Sequence, residues 1–433
     1  MRSNFTKLFL MVFLFLQSGY SQSLEDRLSG IFTDLLELNL VGSPGQHGEH
    51  FKPANVAASA TIINSLNNFI GTSVSSFPLS STVAGLTFDF SSGRPVSTST
   101  SLGPIFSERA QTLGQGLLNV GFNFTYMNFT KIRGLDTKDL RLAFTHQDVG
   151  LPGMGDSPNE FDYIDMYLNM ELKASILAFY FTYGLTDRLD ISVALPLVNV
   201  NLKATPVAYM NSYTFVNNDT ANHNFGDDPT HPLLQTNPPA IDDDATGIGD
   251  IAIRAKYNFI SKQDVDLSAL VEYRLATGEA ADFLGAGQSR LRFLMIASKA
   301  YGDFTPHLNL GYEMKNSDKD PDDFEVYLGY DQKLSESLTF ALDFIGEFEV
   351  GSQSDELSFP DPIIVERPDG TYKQRISYTN LPNQSNDNII NGAVGFKLQP
   401  KENPMVIANV FFPLNDGGLR ADFIPTFGVE FSF

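Results

Sequence analysis

Residues 251–274 have the sequence IAIRAKYNFISKQDVDLSALVEYR, in which apolar and polar side chains alternate along two successive runs. Because side chains of a β-strand point alternately to opposite faces, each run predicts a strand with one apolar and one polar face. Only residues 261–264 separate the two runs, which predicts a tight antiparallel hairpin. The charged residues on its polar face are Arg254, Lys256, Asp266, Glu272 and Arg274.

The same alternation continues through residues 290–347, in runs of the ~10 residues that a tilted strand needs to cross a bilayer. The polar faces there carry Arg290, Arg292, His307, Glu313, Glu325, Asp343 and Glu347. We predict that the charged residues of both regions line the lumen of a β-barrel. Two functions fit them: a polar path that selects a substrate, or a salt-bridged wall that fills a narrow lumen. The wall is favoured, because unpaired charges in a confined space are costly.

The connections between the runs differ in length in a regular way. Short turns are predicted near 186–188, 261–264, 300–304, 334–337 and 400–404, and long polar connections at 211–247, 278–289, 316–323 and 351–387. Short periplasmic turns and long extracellular loops are typical of outer-membrane barrels. The class predicted is therefore all-β, a transmembrane antiparallel β-barrel.

The strand count is obtained from the last run, which has an apolar residue at every second position and ends on Phe433. Counting back from it gives twelve strands, the first from about Gly116. Two more runs, Val83–Phe90 and Val96–Phe106, would make fourteen. Fourteen strands are predicted, with twelve as the alternative, since the number is even when both ends are periplasmic.

The residues before the barrel divide into two predicted segments. Residues 1–21 have the basic start, apolar run and small residues of a cleaved secretory signal, which predicts export to the outer membrane of a Gram-negative bacterium. Residues 22–82 contain helical spacing around Leu28 and Ile31 and a second helical pattern over Ala54–Ile70. We predict that 22–82 form a partly helical plug or periplasmic segment, and that 83–433 form the barrel.

Composition excludes several functions. The chain has a formal net charge of −22, which disfavours nucleic acid as a partner because phosphates would be repelled. It has no cysteine, and therefore no thiolate metal site and no cysteine nucleophile. No Gly-x-Ser-x-Gly motif is present. We predict that the protein is not an enzyme, has no catalytic residues and uses no metal or cofactor.

Several strings resemble the outer-membrane transporters that are assigned to the meta-pathway of phenol degradation, a family similar to the long-chain fatty-acid transporter barrels. They are YGLTDRLD at 183–190, LP at 195–196, GIGD at 247–250, ATG at 276–278 and NLGY at 309–312. The resemblance implies the barrel fold, an N-terminal plug and a lateral opening. The Asn-Pro-Ala string of the fatty-acid branch is absent, and Lys52-Pro53-Ala54 is the nearest string. A fatty-acid ligand is therefore not implied.

The predicted function is passive uptake of a small, hydrophobic molecule across the outer membrane, with the N-terminal segment acting as a hatch. Its partners would be outer-membrane lipid and the solute. One alternative is a barrel subunit or scaffold of a secretion or envelope-assembly complex, with envelope proteins as partners. A second is a general diffusion porin. The sequence does not identify the cargo.

Overall fold

The computed structural model describes most of the chain from residue 101 onward and four short pieces before it. The described ranges are 22–32, 66–75, 88–89, 96–97, 101–147, 159–212, 223–225, 228–235, 240–262, 265–317, 320–351, 362–366, 373–384, 386–400 and 403–433. The predicted signal at 1–21 lies outside them, as does much of the predicted plug segment.

Twelve antiparallel strands form a closed barrel, numbered here in chain order among all strands. They are β3 (Leu118–Ile132), β6 (Asn159–Thr186), β7 (Leu189–Asn211), β9 (Ala252–Lys262), β10 (Val265–Arg274), β11 (Arg290–Lys299), β12 (Phe304–Lys315), β13 (Asp322–Ser335), β14 (Leu338–Val350), β17 (Ile389–Leu398), β18 (Met405–Pro413) and β20 (Ile424–Ser432). Pairing of β20 with β3, from Ser432 against Asn119 to Thr426 against Thr125, closes the ring.

Shorter strands flank the barrel. β4 (Leu135–Asp136) and β19 (Leu419–Ala421) pair with β3, β5 (Leu140–Gln147) with β6, and β8 (Ile241–Ile248) with β7. Two separate hairpins are formed by β1 (Phe88–Asp89) with β2 (Val96–Ser97), and by β15 (Ile363–Glu366) with β16 (Lys373–Ile376).

The barrel has twelve strands, so the prediction of fourteen is wrong and the alternative of twelve is right. The two additional predicted strands cover β1 and β2, which pair with each other and not with the barrel. The second of them, Val96–Phe106, also runs into residues 101–106, which are buried inside the barrel. The apolar side chains of residues 101–106 therefore contact the interior of the barrel and not lipid.

The connections between barrel strands differ in length as predicted, with short turns at one end of the barrel and longer connections at the other. Short turns join β6 to β7, β9 to β10, β11 to β12, β13 to β14 and β17 to β18, and longer connections lie at the opposite end. The carbonyl of Phe433 accepts a hydrogen bond from the Leu118 N–H, so both ends of the barrel lie at the short-turn end. We use "short-turn end" and "long-loop end" for the two rims.

Two helices lie within the described residues that precede the barrel. Helix α1 (Leu24–Phe32) begins after Ser23, whose hydroxyl accepts the Asp26 N–H, and Leu28 and Ile31 on one face are fully buried. Helix α2 covers 66–75. Both helices lie at the long-loop end: Leu24 N–H donates to Asp282 in the short 3-10 helix Ala280–Asp282, and Arg274 binds the carbonyl of Ser75. No helix within the described ranges is long and apolar enough to span a bilayer.

An apolar outer surface surrounds the ring. Every barrel strand exposes large apolar side chains on the face opposite the lumen; examples are Phe122, Phe181, Ile191, Ile253, Val271, Met295, Leu310, Leu328, Phe344, Phe396, Val410 and Phe427. A continuous apolar surface of this extent is unfavourable in water and is the lipid-facing band of a transmembrane barrel. The fold is therefore that of an outer-membrane β-barrel.

An arginine on this band is expected to be costly in proportion to its depth. Met295, in the middle of β11, is 53% exposed, and Met295→Arg should destabilise the folded barrel by about 2–4 kcal/mol. Tyr301 in the short turn is the control, since Tyr301→Arg at the rim should cost about 0–1 kcal/mol. Urea unfolding in lipid vesicles measures both, and equal costs at the two positions would contradict the assignment of the band.

Candidate functional site: the barrel lumen

The predicted lumen residues lie on the inward faces of β9 to β14. Asp266 and Glu347 are half-buried, and the other ten are buried: Arg254, Lys256, Glu272, Arg274, Arg290, Arg292, His307, Glu313, Glu325 and Asp343. Their placement follows from the alternation of side chains along each strand. Whether any of them contacts a substrate stays a prediction.

Glu272 is the centre of the charged wall. Its Oε2 accepts a hydrogen bond from Arg254 Nε at 2.5 Å, its Oε1 lies 3.0 Å from an Arg274 nitrogen, and Arg292 is 3.7 Å away. The Glu272 carboxylate is therefore shared by three guanidinium groups. Register dictates this arrangement, because Glu272 stands opposite Arg254 on β9 and Arg292 on β11.

The network continues along the wall. Arg292 also binds Glu325 at 2.8 Å and donates to the hydroxyl of Tyr327, and Arg290 lies 3.7 Å from Glu313. These pairs compensate the buried charges, as a salt-bridged wall requires. The charges of these residues are therefore paired with one another in the structure.

Residues 101–113, which we call the belt, cross the lumen in its short-turn half. Residues 101–110 are all buried. By sequence, the string 103–110 fits either an early strand kinked by Gly103 and Pro104 or a plug or gate contact, but no described strand includes it. Because the belt lacks strand partners, its backbone groups must be satisfied by side chains of the wall.

Asp343 satisfies the first part of the belt. Its carboxylate accepts the N–H groups of Ile105 and Phe106, at 3.2 and 2.9 Å, and the hydroxyl of Ser107 at 2.5 Å. One buried carboxylate therefore holds three successive belt residues against β14.

Arg109 fixes the middle of the belt. It donates to Asp331 of β13 at 2.7 Å, and Asp331 also binds Ser101 and His307. The hydroxyl of Ser298 contacts His307 at 3.2 Å and accepts the N–H of Ala110. His307 is thus part of the attachment of the belt to the wall.

The far part of the belt reaches the opposite wall. Leu113 N–H donates to Asp190 of β7, and the carbonyl of Ala110 accepts from Asn258 and from Ser268. Contacts of the belt therefore extend from β17, where Lys397 donates to the Leu102 carbonyl, round the wall to β7. The belt therefore crosses the lumen in the short-turn half of the barrel.

A charged cavity lies above the belt, in the long-loop half, with an empty volume of ≈ 740 Å³ that includes solvent at its opening. α2 contributes Phe69, Thr72 and Ser73, and the barrel contributes Arg274, Arg292, Glu313, Lys315, Asp323, Glu325, Tyr327, Glu347, Glu349, Asp387, Ile389 and Gly418. Predicted lumen residues therefore do line a cavity, but a polar one.

An apolar cavity adjoins it, with an empty volume of ≈ 530 Å³ that includes solvent at its opening. Both cavities share Ser73, Glu347 and Ile389. Its other lining residues are mostly apolar and come from β3 and β17 to β20: Met127, Phe129, Asn391, Phe411, Pro413, Leu419, Arg420, Ala421 and Ile424. None of these nine was among the predicted site residues.

The apolar cavity lies beside an interruption of the barrel wall. Pairing of β20 with β3 ends at Thr426 against Thr125, and β19 resumes it at Ala421 against Phe129. Between these two pairs, residues 126–128 of β3 are not paired with β19 or β20 among the described residues. Pro425 lies in the interruption and cannot donate a backbone hydrogen bond.

Comparison with known proteins yields distant structural similarity. No protein-family model matches the sequence, and no curated protein matches it. An outer membrane channel from Pseudomonas putida F1 is 12% identical with a TM-score of 0.41, over 75% of this chain and 98% of that chain. A FadL homologue from Pseudomonas aeruginosa is 11% identical with a TM-score of 0.28, over 73% and 88% of the two chains.

The outer membrane protein OprB from Pseudomonas putida is 8% identical with a TM-score of 0.29, over 74% of this chain and 94% of that chain. Since no family model matches, the resemblance to transporters of the phenol meta-pathway stays a prediction.

Proposed function

We propose that the protein mediates passive uptake of small hydrophobic molecules across the outer membrane. This proposal rests on the apolar cavity, which lies beside the interrupted pairing of β3 with β20, here called the seam. Ligand sites in proteins are concave and lined mostly by apolar side chains, as this cavity is.

The route follows from where the lumen is filled. Since the buried belt crosses the short-turn half of the barrel, it stands in the straight path of a solute that would leave the apolar cavity toward that end. Residues 126–128 and 422–425 offer a way out sideways, because no ladder pairs cross the seam there. A hydrophobic molecule would leave through this opening into the bilayer, where it is soluble.

The N-terminal helices act in this proposal as the hatch at the long-loop end. Ser73 of α2 lines both cavities, and Phe69 lines the charged one. α2 is tied to the wall by Arg274 and Arg290, which bind the backbone and hydroxyl of Ser75. Displacement of α2 would open the cavities to the outside.

The charged cavity is the observation that favours a second candidate function, a general diffusion porin. Its lining would suit water-soluble solutes, and such a porin would need a continuous path past the belt. The two functions differ in the solutes that should pass: hydrophobic molecules through the proposed transporter, and water-soluble ones through a porin.

Filling the apolar cavity is expected to stop uptake. Ala421 is buried and lines the cavity, so Ala421→Phe should reduce the influx of a neutral hydrophobic dye into proteoliposomes by about ten-fold or more, because an occupied site excludes the solute. Ala421→Ser conserves the volume and is the matched control. Influx through Ala421→Phe equal to that of the control would overturn the proposal.

A further inference from the structure

We infer that the outer face of the hairpin formed by β6 and β7 binds lipopolysaccharide, the phosphorylated glycolipid of the outer leaflet. This partner is not the solute of the proposed uptake, so the inference goes beyond the proposed function. It rests on the order of side chains along that face, from the membrane outward: an apolar band, then lysines, then an exposed pair of tyrosines.

The β6–β7 hairpin projects beyond the ring at the long-loop end. β6 has 28 residues and β7 has 23, whereas the other ten barrel strands have 9 to 15. β6 pairs with β3 only from Tyr183 to Leu172, and β7 pairs with β9 only from Leu189 to Ala194. Toward the long loops, the two strands pair with each other and with β5 and β8. Because the long loops of an outer-membrane barrel face the outside, this sheet stands in and above the headgroup layer of the outer leaflet.

The two faces of this sheet differ in polarity. The inner face is apolar and fully buried at Met166, Leu168, Met170, Val200 and Leu202.

The outer face shows where the membrane ends. Its apolar band reaches Leu177 of β6 and Leu197 of β7, which lie opposite each other. The next outward-facing pair, Ser175 and Asn199, is polar. Since the lipid-facing band ends at this level, the side chains beyond it lie where lipid headgroups begin.

Three lysines follow on the outer face. Lys173 and Lys138 lie 3.3 and 3.4 Å from the Glu171 carboxylate, and Lys203 stands opposite Glu171 in the ladder. Lys203 also contacts Asp242 at 2.8 Å. Exposed ion pairs of this kind contribute little, so phosphate groups are able to compete for the lysines, which an anionic headgroup layer attracts. The carboxylates that border the lysines on β4 and β8 are Asp136, Asp242 and Asp244.

An exposed pair of tyrosines lies further out on the same face. Tyr167 and Tyr209 are 41% and 44% exposed, with ring centroids 6.0 Å apart. Tyr167 lies ~20 Å along the strand beyond Lys173, at ~3.3 Å per residue, and is therefore too far from the band to belong to an aromatic girdle. Exposed Asn169 and Asn211 lie beside the pair. Aromatic rings next to amide groups suit sugars, which have apolar faces and hydroxyl edges.

The order of these levels matches the order of groups in lipopolysaccharide. Its acyl chains would pack on the apolar band, its glucosamine phosphates would meet the lysines, and its inner sugars would reach the tyrosines. A phospholipid has no sugars for the outermost level, and a soluble oligosaccharide has no acyl chains for the innermost one. Lipopolysaccharide is therefore the partner that uses all three levels.

Native mass spectrometry of the full chain in detergent micelles tests the inference with four lipids. They are lipid A carrying two inner sugars, lipid A alone, dephosphorylated lipid A and phosphatidylglycerol. We expect one molecule of the sugar-bearing lipid to bind most tightly, lipid A about five-fold more weakly, and the dephosphorylated form at least ten-fold more weakly again. Equal binding of the phosphorylated and dephosphorylated forms would overturn the inference, as would phosphatidylglycerol binding as tightly as the sugar-bearing lipid.

A pair of double variants connects the phosphates to the lysines. Lys173→Gln with Lys203→Gln should weaken binding of lipid A about ten-fold. Lys262→Gln with Lys299→Gln is the matched control, because it removes two exposed lysines at the short-turn end, and it should leave binding unchanged. If both double variants bind lipid A equally well, the lysines of the hairpin do not hold its phosphates and the inference is wrong.

A third double variant examines the sugars. Tyr167→Ala with Tyr209→Ala should lower the affinity for the sugar-bearing lipid to that for lipid A alone, while lipid A binds as before. A retained five-fold advantage of the sugar-bearing lipid in this variant would show that the tyrosines do not contact the sugars, and would contradict the assignment of the outermost level.

Discussion

Glu272→Gln is expected to destabilise the barrel by about 3–5 kcal/mol, the largest effect of any single substitution in the charged wall. The carboxylate of Glu272 is 1% exposed and compensates three guanidinium groups. Arg292 would keep Glu325, but Arg274 would lose its only carboxylate within 4.0 Å among the described residues. Glutamine fills the same volume, so the loss measures the charge and not a cavity.

Urea unfolding of the refolded protein in lipid vesicles gives this free energy. Glu171→Gln is the control, because Glu171 is 39% exposed and pairs with Lys173 at the surface of β6. An exposed pair of this kind contributes about 0–1 kcal/mol. Similar losses for the two variants would contradict the interpretation of the wall as a buried network centred on Glu272.

Asp343→Ala is expected to loosen the belt and raise the ionic conductance of the barrel. The substitution removes the acceptor of two backbone N–H groups and one hydroxyl. Leaving buried donors unsatisfied costs about 1–3 kcal/mol, which should raise the population of open channels by roughly five-fold or more. Single-channel recording in planar bilayers measures the open fraction directly.

Asp343→Asn is the matched variant, since its amide oxygen still accepts a hydrogen bond. It should open the channel less than Asp343→Ala does. A closed channel in both variants, with correctly folded protein, would mean that Asp343 does not hold the belt in the lumen.

Local patterns predict the wall well. Alternation in 251–274 places Glu272 and Arg254 on one face, and the short turn at 261–264 brings them onto adjacent strands. The inward placement of these residues and the positions of the short turns therefore follow from the amino-acid sequence alone. The predicted strand count is wrong because alternation does not distinguish a strand facing lipid from an extended segment packed in the lumen.

The belt and the apolar cavity depend on contacts between residues distant in sequence. Arg109 and Asp331 are 222 residues apart, and Glu108 and Asn309 are 201 apart. Nothing local indicates such pairs, because closure of the ring decides which strands face the belt. Arg420 lies in a strand of three residues, which is too short to show alternation, so its place in the lining of the apolar cavity is not indicated by the sequence around it.

Liposome swelling compared with dye influx tests most directly whether the lumen is closed to water-soluble solutes but open to hydrophobic ones. The same proteoliposomes are diluted into iso-osmotic arabinose, glucose or sucrose and, separately, mixed with a neutral hydrophobic dye. We expect dye influx above that of protein-free liposomes, with no swelling in any sugar. Swelling that falls steadily from arabinose to sucrose, as through a general diffusion pore, would contradict this expectation.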